Sequence, residues 1–156
     1  MTNNGIVRRV RFALDLDDDT MVAVFRQADR EVSRALVSDW LKRDEDPAFQ
    51  PCDDETLACF LNGLINHRRG RREGSQPAPE ARLTNNMIFM KLKIALNLQA
   101  DAVLEILSLA NFSMSRHELS ALFRKPNHRH FRPCQDQVLR NFLQGMQVKY
   151  RGAAPR

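Results

Sequence analysis

Five fixed cations fall within one short stretch of the chain: Arg116, Arg124, Lys125, Arg129 and Arg132, with His117, His128 and His130 interspersed. Guanidinium and ammonium groups at that density can hold phosphates without reading base sequence. Lys91 and Lys93 extend the set if the helix that carries them lies alongside. The competing reading is a solvated basic surface, or one neutralised by acidic residues elsewhere. DNA or RNA is the partner this stretch points to, through its phosphates.

A second signal lies at VSRALVSDWLKR (32–43), which is similar to the capped recognition helix of helix-turn-helix repressors. In such a helix the N-terminal side chains reach base edges in the major groove. Ser33 would cap it, Arg34 would face outward with Asp39 and Lys42, and Val37 and Trp40 would pack inward. Three features oppose a base-reading role. The turn before Ser33 lacks the glycine such turns often use. Asp29, Glu31, Asp39 and Asp44–Asp46 surround the helix with the charge sign of phosphate. Any capped amphipathic helix would also produce the pattern.

These residues sit on a chain that is written twice. Shifted by 82 residues, Thr2–Gly70 lies over Thr84–Gly152 without a gap, with 22 of 69 positions identical. That is a duplicated structural unit. A unit of about 70 residues is marginal alone, so the two copies are expected to share a core. The organisation read from the pattern is a first repeat over 2–70, an exposed linker over 71–83, a second repeat over 84–152 and a tail over 153–156. The linker, RREGSQPAPEARL, has the Gly, Ser, Pro and charge content of a solvated connection.

Each copy reads as four helices. Asn4 is the expected N-cap of the first, whose apolar positions Ile6, Val10, Ala13 and Leu14 are copied as Ile88, Leu92, Ala95 and Leu96. The second starts near Asp17–Asp19 and carries Met21, Val22, Phe25 and Ala28, matched by Val103, Leu104, Leu107 and Ala110. Ser33 and Ser115 cap the third. A polar loop ends at Pro51 and Pro133, and the fourth carries Leu57, Phe60, Leu61 and Leu64, matched by Leu139, Phe142, Leu143 and Met146. No segment alternates with period two. The expected fold is all-α: two tandem four-helix repeats related by a pseudo-twofold, eight helices and no sheet. Gly63 and Gly145 sit mid-helix, where glycine costs about 1 kcal/mol relative to alanine. Their recurrence predicts close approach of another helix, for which contact between the two fourth helices is the simplest geometry.

The segments FQPCDDETLACFLNGL (49–64) and FRPCQDQVLRNFLQGM (131–146), together with the paired TNN helix starts, resemble the YehS-like family of small bacterial proteins. The resemblance covers nearly the whole chain outside linker and tail. It implies an all-helical duplicated fold. The family is grouped as a domain of unknown function, so the resemblance implies no activity and no site residues.

Other chemistry has bland rivals. His128-x-His130 with Cys134 hints at a metal, but a structural zinc site needs four ligands, and the first copy has Asp46 and Ala48 instead of the histidines. Cys52 and Cys134 precede a helix, a position that can activate a thiol, yet neither has an adjacent base. Asp54 and Asp136 suit the positive end of a helix without any acid–base role. The chain lacks a glycine-rich phosphate loop, a His-Glu-x-x-His pair and a nucleophile elbow. No metal, cofactor or catalytic residue is expected, and no enzyme is demanded.

Charge is divided unevenly over a net +5. The first repeat holds 10 basic and 13 acidic residues; the second holds 10 basic and 4 acidic. A polyanion should prefer the second repeat. Opposite charge also suits pairing of the copies, within one chain or between chains, so a protein partner or self-association is the alternative to nucleic acid. No apolar run approaches the roughly 18 residues that span a bilayer. MTNNGIVRRVRF has no signal-like apolar stretch. Three cysteines without metal spacing complete the expectation of a reduced, cytoplasmic binding module.

Overall fold

The computed structural model describes residues 1–152 and folds them into eight α-helices, four from each half of the duplication. They are α1 (Asn3–Ala13), α2 (Asp18–Gln27), α3 (Arg34–Leu41), α4 (Asp54–Arg69), α5 (Asn85–Ala95), α6 (Ala100–Leu109), α7 (Arg116–Leu122) and α8 (Asp136–Met146). A π-helical segment, Gln147–Arg151, prolongs α8. Among the described residues there is no strand. The tail, 153–156, lies outside them.

The caps correct one sequence expectation. Thr2 and Thr84, not the asparagines, cap α1 and α5: their hydroxyls accept from the N–H groups of Gly5 and Met87. The paired asparagines work at long range. Asn4 Nδ2 donates to the carbonyls of Trp40 and Gln50, each at 2.9 Å, while its Oδ1 accepts from Cys52 N–H at 2.9 Å. Asn86 repeats this with Leu122, Arg132 and Cys134. Asn3 and Asn85 donate to the carbonyls of Cys52 and Cys134 and to the carboxylates of Asp54 and Asp136. The start of helix one thus holds the loop before helix four in each copy. A buried amide with every polar atom partnered is a specific fastener.

The helix ends recur too. Asp15 and Asn97, and Asp29 and Asn111, occupy the left-handed region with φ between 54° and 61°. Asp and Asn tolerate that conformation better than most residues with a side chain.

The halves interlock about a pseudo-twofold, and three contacts across the join have counterparts. Arg9 donates to Gln144, and Lys91 to Asn62. Arg151 pairs with Asp15, and Arg69 donates to Asn97. Leu83 N–H donates to Asp54 at 2.8 Å, and the Met1 amine lies 3.7 Å from Asp136. Helix four of each copy therefore lies along helix one of the other. One hydrophobic core runs through both halves, with Phe25, Phe60, Phe89 and Phe142 fully buried. Each such side chain contributes roughly 1.5–3 kcal/mol relative to exposure.

This geometry overturns the expected contact between the two fourth helices. A Cβ at Gly63 would lie 1.9 Å from the Val24 carbonyl oxygen, and one at Gly145 would lie 1.9 Å from that of Ile106. The close approach is real, but the partner is helix two of the same copy. Two glycines facing one another would have met the same requirement. Helix four lies against helix one of the opposite copy on one side and brings its glycine against its own helix two on another.

Candidate nucleic-acid interface

Helix α7 and the loop after it carry Arg116, Arg124, Lys125, Arg129 and Arg132, all exposed. The capping box of Ser115 and Glu118 fixes the start of α7, with Ser115 Oγ accepting from Glu118 N–H and the Glu118 carboxylate accepting from Ser115 N–H. Those hydrogen bonds hold the Glu118 carboxyl below its ordinary range. The buried side chains of Leu119, Ala121 and Leu122 then leave Arg116 facing outward. Among the described residues Arg124, Lys125, Arg129 and Arg132 pair with no carboxylate, and Arg116 pairs with Asp101.

The equivalent surface of the first copy carries cations at three of those positions: Arg34 for Arg116, Lys42 for Arg124 and Arg43 for Lys125. There two of the three have carboxylate partners. Lys42 Nζ is 2.7 Å from Asp39, and Arg34 lies against Asp18 and Asp19. In the second copy Asp39 is replaced by Ala121, Asp18 by Ala100, and Asp44–Glu45–Asp46 by Pro126–Asn127–His128. Asp101 keeps the place of Asp19 and holds Arg116, whereas the counterparts of Asp39 and Asp44–Asp46 beside Arg124 and Lys125 carry no charge.

The loss of acids extends to places where it weakens the fold. Asp17 and Asp53 cap α2 and α4, accepting from the N–H groups of Thr20 and Thr56 at 2.8 Å. These bonds lower both carboxyls' pKa values. Their counterparts Gln99 and Gln135 make no capping bond. A lost cap costs typically about 1 kcal/mol. At the left-handed positions Asn97 and Asn111 keep the backbone requirement of Asp15 and Asp29 while dropping the charge.

Lys93 and Lys91 part company. Lys93 Nζ sits 5.5 Å above the Phe123 ring and shares a surface hollow with Arg116 and Arg124. Lys91 points instead to the join between the copies, where it meets Glu80 at 3.1 Å and Asn62 at 2.6 Å. Its charge is spent there. Arg69, which sequence reasoning missed, lies beside the same face: its guanidinium reaches Asn97 and the Ile94 carbonyl at the corner that carries Lys93 and Gln99. The run His67–Arg72 is the signal for it, but that run belongs to the first copy, and only the interlocked packing carries it to the second.

The chain matches the family described as protein of unknown function (DUF1456) twice, at residues 3–70 and 85–152. It belongs to that family. It is also 39% identical over 151 residues to the uncharacterized protein YehS of Escherichia coli (strain K12), a match spanning 96% of each chain. No solved structure matches it.

Within this family member the helix-turn-helix-like element forms as a capped helix: Ser33 Oγ accepts from Leu36 N–H, Val37 and Trp40 are buried, and Trp40 packs on Phe25 at 5.2 Å between ring centroids. Arg34, the side chain that would read bases, is held by the two carboxylates of α2. The cysteines are buried, and burial pushes the thiol of Cys52 up to about 12 and that of Cys134 up to about 11. Cys52 and Cys134 instead donate weakly to the carbonyls of Asp53 and Gln135. The His128 and His130 rings lie 5.5 Å apart on the exposed loop. Among the described residues no three His, Cys, Asp or Glu side chains gather in a metal-holding group. Asp136 serves Asn85 and the Met1 amine, which lower its pKa. No helix among the described residues is long and apolar enough to cross a membrane.

Proposed function

We propose that this protein is a non-catalytic, cytoplasmic module that binds nucleic-acid phosphates through the second copy. One observation carries the reading: Arg124 and Lys125 keep the cationic character of Lys42 and Arg43, while the acids that surround the first pair are absent around the second. Arg129 and Arg132 add two further exposed cations on the same loop, paired with no carboxylate among the described residues. Giving up caps at Gln99 and Gln135 argues against stability as the reason for the change. The arrangement suits phosphate contact without base readout, because a loop of long, exposed cations positions but does not specify. The buried thiols of Cys52 and Cys134, whose pKa values burial raises, offer no activated nucleophile.

Fluorescence anisotropy with a labelled DNA or RNA 20-mer tests it. The wild type should bind at low salt, with log affinity falling linearly against log salt. Replacing Arg124, Lys125, Arg129 and Arg132 by alanine should lower that slope by about 3. A wild type that ignores both nucleic acids at low salt ends this reading.

A second reading has its own support. Asp44, Glu45 and Asp46 expose an acidic loop at the position of the basic one, so the two could pair between chains and self-assemble. Light scattering at two ionic strengths decides it: a monomer at both removes the support.

A further inference from the structure

Beside the basic loop the second copy opens an apolar groove of about 790 Å³. Its floor is one face of α5, with Met87, Met90 and Ile94; Ile65 of α4 and Pro77 of the linker form one wall, and Phe131 of the loop forms part of the other. Arg124 and Lys125 stand on its rim. Its size lies within the roughly 300–1,000 Å³ usual for small-molecule clefts.

At the matching face of the first copy Gly5, Arg8 and Gln147 stand where the second has Met87, Met90 and Ile65, and the face is covered. Arg8, the counterpart of Met90, lies across it: its guanidinium donates to the Lys42 carbonyl and sits 3.6 Å from Asp44. Phe12, the counterpart of Ile94, is covered by the Arg151 guanidinium at 4.3 Å. In the second copy a methionine replaces Arg8, Pro126 replaces Asp44, and Ile94 is 42% exposed. A concave apolar face edged by a few polar groups is the usual form of a small-molecule site, and methionines adapt to what enters.

We propose that this groove binds a single-chain anionic amphiphile of the fatty-acid type. The apolar chain lies along Met87, Met90 and Ile94, and the carboxylate meets Arg124 and Lys125. Charge complementarity selects the anion. Lys91 and Glu80 at the linker wall neutralise each other at 3.1 Å, whereas the rim cations have no carboxylate among the described residues.

The test follows the methyl resonances of ¹³C-methionine-labelled protein during titration with dodecanoate below its micelle-forming concentration. Met87 and Met90 should shift saturably. Dodecanol, and dodecanoate on Arg124→Ala/Lys125→Ala, should bind about fivefold more weakly. Met90→Arg, which restores the closing arginine, should abolish the shift at an unchanged circular dichroism spectrum. Ile94→Ser, at an exposed position, should weaken binding if Met90→Arg fails to fold. Three results overturn the proposal: no saturable shift, equal binding of dodecanol, or Met87 and Met90 shifts that follow protein concentration alone and reveal a second copy in the groove. Met90→Arg and Ile94→Ser leave the loop cations in place, so nucleic-acid binding by these variants is read separately, and its absence would not touch this result.

Discussion

The two copies have one backbone plan and two surfaces. Four features that shape the fold are kept in both: the threonine caps, the asparagine fasteners, the left-handed helix ends and the glycines beneath helix two. The features that set charge are not. Asp15 and Asp29 become asparagines, Asp17 and Asp53 become glutamines, and Asp44–Asp46 lose all three carboxylates. The substitutions at the left-handed sites are instructive because Asn meets the same conformational demand as Asp. Only the charge has changed. The comparison teaches that one copy is a neutralised version of a surface that the other displays.

The largest effect should fall on what the copies share. Gly63→Ala and Gly145→Ala each drive a Cβ into a carbonyl oxygen, and overpacking against backbone should cost at least about 3 kcal/mol in urea denaturation. Similar losses at the two sites would sharpen the symmetry; a tolerant Gly145 would break it. Asn4→Ala strands two carbonyls and one N–H and should cost about 2–3 kcal/mol. Asn86→Ala should cost less, because its site is more exposed.

A smaller change separates the copies. Gln135→Asp installs the missing cap and should stabilise the protein by up to about 1 kcal/mol while weakening DNA binding. Asp53→Ala should lose about 1 kcal/mol at pH 7. The Asp53 pKa is lowered, chiefly by its bonds to Thr56, so its contribution is present above the unfolded carboxyl value near 3.9 and fades as pH falls through the folded one. The gap between wild type and Asp53→Ala should therefore narrow in denaturation curves taken below about pH 4. Least of all should change on thiol treatment: with Cys52 near 12 and Cys134 near 11, iodoacetamide at pH 8 should leave both unmodified until the chain unfolds.

The four-helix repeat was legible because apolar spacing repeats at the helical period and the duplication doubles every signal. The α1 cap was misplaced on Asn4 because Thr, Asn and Asn in series are all good caps. Which of them turns away to Trp40 and Gln50 depends on a loop some 40 residues on, which local pattern does not show. The glycines announced a close approach but not its partner, since that follows from how the halves interlock. The basic face was legible as composition. Its limits were not, because Lys91 is drawn to Glu80 and Arg69 is delivered from the other copy.

The most direct test returns the lost acids. Pro126→Asp, Asn127→Glu and His128→Asp recreate Asp44–Asp46 at exposed loop positions of the second copy. Anisotropy titrations with a DNA 20-mer at low salt should show the wild type binding with a steep salt dependence and the triple variant failing to bind. Equal binding by the two proteins would contradict the account.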